Sequence, residues 1–122
     1  MSYFALLISL VLWSQPEAHL QNRQEVPPVP VQIEVVADSL NVIHAKVMVE
    51  PNTPAREVMG RLFQMKYASW RKAFVVGIAG FEADKRKRQY WALSINGDYA
   101  NVGIAEIRIK KATTIRWELK QY

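Results

Sequence analysis

The stretch Arg88 to Tyr122, RQYWALSINGDYANVGIAEIRIKKATTIRWELKQY, decides the fold. Tyr90 to Ile95 (YWALSI) reads as a strand. Asn96-Gly97 behind it suits a type I′ hairpin turn, because both central residues of that turn need positive φ. Asp98 to Val102 returns beside the first strand. Gly103 turns the chain, Glu106 to Ile109 pairs briefly, and Thr113 to Leu119 closes the sheet. In that last run Ile115, Trp117 and Leu119 share one face, and Arg116 and Glu118 the other, which is the period of a half-buried strand.

Working outward, Val31 to Ala37 (VQIEVVA) alternates with Val31, Ile33 and Val35 on one face. Asp38 and Ser39 begin a turn. Asn41 to Glu50 is a second strand, with Ile43, Ala45, Val47 and Val49 apolar and His44, Lys46 and Glu50 opposite. The two form a hairpin. Thr53-Pro54 then reads as a helix start, a capping hydroxyl followed by proline at the first helical position. Ala55, Val58, Met59, Leu62 and Met65 recur at helical spacing, so the helix is expected to run to about Tyr67. The methionines read as core filling. Ala73 to Ala79 (AFVVGIA) is expected to be a central strand, with Gly77 marking a bulge or a close approach. Glu82 to Gln89 is a charged loop. Strand, strand, helix and several strands give an α+β fold: a β-grasp-like mixed sheet with one helix packed on one face.

The chain is long enough for one domain, at 122 residues, and half of them are apolar. It has no cysteine, which excludes disulfides, a thiolate nucleophile and cysteine metal sites. Sixteen Lys and Arg against eleven Asp and Glu leave a net charge of +5, which suits an anionic partner or surface. No catalytic constellation is visible. The two histidines, His19 and His44, lie far apart, and no spacing ties two carboxylates into an acid–base pair. There is no phosphate loop, nucleophile elbow or zinc motif. No enzyme activity, cofactor or metal site is therefore expected. Lys85-Arg86-Lys87-Arg88 reads as a solvated loop and not as a nucleic-acid site, because no row of exposed aromatics accompanies it.

Tyr3 to Trp13 is an apolar run of signal-peptide length, shorter than the ~20 residues of a spanning helix. Residues 1–18 are expected to be a signal peptide or an N-terminal anchor, and 19–30, with three prolines in VPPVP, a stiff linker. The domain proper is 31–122. Its expected location is outside the cytoplasm: secreted, periplasmic or on the cell surface, with a membrane anchor if the first segment is kept.

Tyr90-Trp91, Asn96-Gly97, Gly103-Ile104-Ala105 and Ile115-Arg116-Trp117, in this order and spacing, resemble the end of the transcobalamin and intrinsic factor C-terminal domain. That β-grasp-like module is shared with many exported bacterial proteins. The strand before Pro51, the helix from Pro54 and Val75-Val76-Gly77-Ile78 fit the same pattern, so the resemblance covers 31–122. In the cobalamin carriers this domain forms one wall of the ligand site, and a helical barrel forms the other. The resemblance implies a ligand surface at Val76, Gly77, Tyr90, Trp91, Ala92 and Leu93, and a ligand that is cobalamin or another corrinoid. Gly77 would let the ligand approach the backbone. Without the barrel the site is half a pocket or needs a partner chain. Where the carriers have a polar amide after the Trp, this chain has Ala92. Trp91 reads equally as core; if it points inward, Tyr90 and Leu93 are expected to point out. The alternative function is an extracellular module that binds protein or glycan at a sheet edge.

Overall fold

The computed structural model describes residues 26–69 and 73–122. The signal or anchor segment and most of the expected linker lie outside the described residues. Two long strands open the fold: β1 (Val29–Asp38) and β2 (Asn41–Val49), paired as the expected antiparallel hairpin. β1 begins two residues before the alternating pattern. Pro30 is tolerated there because pairing with the last strand starts only at Val31.

The segment around the helix departs from the sequence reading. Thr53–Pro54 is a short strand, β3, paired with β9 (Arg108–Ile109). The Thr53 hydroxyl donates to the Glu50 carbonyl and does not cap the helix. Helix α1 covers only Ala55–Leu62, with Pro54 as its uncapped N-terminal residue. It stops where Phe63 turns to extended backbone (φ −134°, ψ 152°). Met65–Tyr67 then forms β4, not a further helical turn. Strand pairing with β5 (Val75–Ile78) supplies Met65 to Tyr67 with partners that outweigh their helical spacing. Ala55, Val58 and Met59 are the buried stripe of α1.

The remaining strands are β6 (Phe81–Glu82), β7 (Gln89–Ile95), β8 (Asp98–Tyr99) and β10 (Thr113–Gln121). The main sheet runs β2-β1-β10-β7-β8, with β10 parallel to β1 and antiparallel to β7. The last strand thus closes the sheet from its middle, between β1 and β7. β5 is central, but to a separate sheet of order β4-β5-β6. Asn96 (φ 52°) and Gly97 (φ 86°) make the β7–β8 turn in the left-handed region, as expected. The result is a mixed-sheet α+β fold with a single α-helix among the described residues.

The inner face of the main sheet carries Val31, Ile33, Val35, Ile115, Trp117, Trp91 and Leu93 into one buried cluster with Ala55, Val58 and Met59. Each fully buried aliphatic side chain contributes about 1.5–3 kcal/mol. Leu93 corrects an expectation. It lies two residues from Trp91, shares its face, and is buried with it. The Trp117 indole nitrogen is buried without a hydrogen-bond partner among the described residues.

The outer face is polar along its central row. His44, Glu34, Arg116, Ser94 and Tyr99 occupy one cross-strand row. Arg116 Nε donates to Glu34 Oε1 at 2.7 Å and Nη1 to Glu118 Oε1 at 3.1 Å. The hydrogen bond to Glu34 is the main cause that raises the Arg116 pKa above its ordinary value.

Candidate functional site: a cleft beside the small sheet

β4, β5 and β6 align Lys66, Gly77 and Glu82 in one row. The Lys66 ammonium reaches over Gly77 to Glu82, Nζ to Oε1 at 2.5 Å. A Cβ at position 77 would stand 3.0 Å from Lys66 Cβ and 3.4 Å from Glu82 Cγ. Glycine is therefore required by the two flanking side chains. The space above its backbone, where the sequence reading placed a ligand, holds this ion pair.

The pair parts two clefts. The larger, of about 480 Å³, is lined by Tyr67, Phe74, Val76, Ala83, Tyr90 and Tyr122, with Lys66, Glu82, Lys85 and Gln89 among its polar groups. The smaller, of about 310 Å³, lies over Gly77 and Gly80 and is bounded by Gln64 and Met65. Lys66 and Glu82 line both.

The large cleft is aromatic with basic margins. The Tyr90 and Tyr122 rings are 6.0 Å apart and tilted by 56°. The Arg88 guanidinium lies 5.1 Å from the Tyr122 ring centroid, within cation–π range. Burial raises the Tyr67 pKa above its ordinary value of 10.0. Tyr90 is also hydrogen-bonded to Tyr99, which raises the Tyr99 pKa. Phe74 is 61% exposed at the rim. Lys85–Lys87 forms a 3-10 turn opened by Asp84, whose carboxylate accepts from the Arg86 N–H, so the basic run is ordered at the cleft edge.

The six positions named from the sequence separate into four places. Val76 and Tyr90 line the large cleft, and Gly77 floors the small one. Trp91 and Leu93 belong to the core, and the Trp91 indole N–H donates to the Phe81 carbonyl at 3.3 Å, tying β7 to β6. Ala92 is buried on the opposite face of β7, across from Glu118, and lines neither cleft. Sequence reasoning missed Lys66, Tyr67, Glu82 and Tyr122. The first two were assigned to a helix or its end, and Glu82 to a loop. The turn Ala79-Gly80 (φ 53° and 89°), which brings β6 onto β5, lacks the usual Asn or Asp at its first position.

Residues 55–121, more than half of the chain, match the family model described as Domain of unknown function (DUF4430). The chain belongs to this family. The family match takes in α1, β10 and the residues of both clefts except Tyr122, and leaves β1, β2 and β3 outside it. No curated protein matches the chain. Among solved structures it is similar to haptocorrin in complex with Cbi, with a TM-score of 0.66 and 19% identity over 83% of this chain and 27% of that one. The chain therefore spans about a quarter of haptocorrin's length. It is also similar to a protein from Ruminococcus gnavus ATCC 29149 with the provisional description metal binding protein. There the TM-score is 0.64 and the identity 13%, over 77% of this chain and 98% of that one. These likenesses show a transcobalamin-like fold. Among the described residues no group of three or more His, Cys, Asp or Glu could hold a metal ion.

Proposed function

We propose that the chain is an exported, non-catalytic binding module whose aromatic cleft covers one face of a corrinoid. The observation that carries this reading is the cleft itself: Tyr67, Val76, Tyr90 and Tyr122 gathered around about 480 Å³, in a fold like that of haptocorrin bound to Cbi. A corrinoid is a broad amphipathic disc edged with amide arms. Tyrosine rings and Val76 offer apolar area to such a disc, while Gln89, Lys66 and Glu82 offer donors and acceptors to its amides. The cleft is in the lower half of the ~300–1,000 Å³ typical of small-molecule sites, and one such wall cannot enclose a ligand of this breadth. A partner chain or a further domain supplies the other wall. Residues 1–18 serve as the export signal or anchor and the proline-rich segment as the tether.

Titration of the purified chain with cobalamin and with cobinamide, followed by corrinoid absorbance and Trp fluorescence, tests the reading. Saturable micromolar binding is expected, weakened about fivefold by Tyr90→Ala, since one aromatic contact is worth about 1 kcal/mol. No spectral change at high micromolar ligand would sink it for this chain alone. N-terminal sequencing of the protein recovered from the medium and from membranes distinguishes cleavage from anchoring.

A further inference from the structure

The two edges of the main sheet are unlike. β8 is two residues long and covers only Ser94 and Ile95 of β7, which leaves Gln89 to Ala92 without a strand partner on that side, where Tyr90 lines the cleft. β2, at the other end, is nine residues long and pairs on one side only. Its ladder with β1 is regular from Val29–Val49 to Val36–Val42, and the one irregularity is at the turn. Natural sheets blunt such an edge with proline, a bulge, shortness or a charged side chain, and β2 carries one such charge, Lys46, which admits only a strand that compensates it. β2 has no proline, and it extends for about 30 Å at 3.3 Å per residue. Alternate residues along it turn both backbone N–H and C=O away from β1.

The side chains along this edge are also incompletely covered. Ile43, Ala45 and Val47 pack on the core from one side and remain half-exposed. On the outer face Val42 and Met48 are exposed, and a hollow of about 270 Å³ lies among Gln32, His44, Ala45 and Lys46. Lys46 faces Gln32 across the ladder and makes no ion pair among the described residues. The nearby carboxylate of Glu34 is already held by Arg116 at 2.7 Å. The edge thus combines a half-covered apolar row with an uncompensated cation.

We propose that β2 accepts an added β-strand from a different protein, one that alternates apolar with acidic residues. The apolar residues would cover Ile43, Ala45 and Val47, and an acidic one would stand beside Lys46 on the outer face. A second copy of this chain is the poorer fit. Asn41–Val49 contains no acidic residue, and Glu50 lies past the last ladder pair, so within a β2–β2 ladder Lys46 finds no carboxylate. This surface is separate from the aromatic cleft and does not depend on the corrinoid reading.

The test uses the full chain and two blocked nine-residue peptides, one alternating valine with glutamate and one alternating valine with lysine. Binding is read by fluorescence anisotropy at low salt, and its place by amide hydrogen exchange. The acidic peptide is expected to bind, with slowed exchange confined to β2, and the basic one is not. Lys46→Glu should reverse the preference by about fivefold or more, from one cross-strand charge pair made and one repelled. Lys46→Gln, which removes the charge without adding one, serves as the second variant if the first is poorly folded and should abolish the preference. Failure of the acidic peptide to bind, equal binding of both peptides, or protection away from β2 would overturn the proposal. So would a dimer in sedimentation whose protected amides are those of β2, because a second copy would then occupy the edge.

Discussion

The two larger sheets of this molecule are held together in different ways. The five-stranded sheet has strands of seven to ten residues over four of its five positions, and its inner face is continuous with the core. The three-stranded sheet has strands of two to four residues, and an exposed ion pair crosses its outer face. Val75 and Ile78 of its middle strand enter the same core, so the second sheet is anchored at its centre and presents its concave surface through short flanking strands and exposed side chains.

The comparison can be broken most directly in the large sheet. Ile33→Ala and Ile115→Ala should each cost about 2–5 kcal/mol in urea unfolding, the range for a buried aliphatic truncated beneath a packed layer. Phe74→Ala at the cleft rim should change stability by no more than about 0.5 kcal/mol. Equal losses at the two places would contradict the contrast. Gly77→Ala is next in size. The added methyl meets the fixed Cβ of Lys66 as well as the movable Glu82 chain, and about 1–3 kcal/mol of overpacking is expected in the same melts.

Lys66→Met should cost less, about 0–1 kcal/mol, since both partners of its ion pair are largely exposed. It should nevertheless alter corrinoid titrations, because it removes the partition between the two clefts. A stability loss above 2 kcal/mol would mean that the small sheet depends on this pair.

The smallest effect is expected in acid. Hydrogen bonds from the Asn41 side chain and the Leu40 N–H hold the Asp38 pKa below its ordinary 3.8, and the Arg86 N–H does the same for Asp84. Both folded values are depressed. Their contribution is therefore present above the unfolded pKa and is lost as pH falls below about 3.8 through the folded values. Asp38→Asn and Asp84→Asn should each flatten the acid limb of a stability–pH profile. A steeper limb in either variant would contradict the assignment.

The long strands were legible because alternation over seven or more residues leaves one assignment for each face. Ile115, Trp117 and Leu119 opposite Arg116 and Glu118 are the clearest case, and Asn96-Gly97 fixed its hairpin by the positive φ that both positions need. Of the short strands, Val75–Ile78, Asp98–Tyr99 and Arg108–Ile109 fall within runs expected to pair, whereas Thr53–Pro54, Met65–Tyr67 and Phe81–Glu82 were not legible. Three residues, Met65 to Tyr67, suit a helical turn as well as a strand, and only pairing with Val75 to Ile78 decides between them. The same shortness hid the site. Tyr90 and Val76 could be named from family likeness, whereas Tyr67, Glu82 and Tyr122 reach the cleft through pairings that no local pattern encodes. Trp91 shows the converse, since a tryptophan in a characteristic motif turned out to be packed in the core with its N–H on the Phe81 carbonyl.

The place of β10 sets an order of events. It lies between β1 and β7, and Ile33 and Ile115, neighbours in the folded sheet, are far apart in the chain. During synthesis the β1–β2 hairpin can form early, but its inner face has no strand beside it until Thr113 to Gln121 has left the ribosome. Until then β1 and β7 are both open flanks. The nascent chain must wait for its final strand before the sheet closes, and a stall short of that strand would leave apolar edges free to pair with the wrong neighbour.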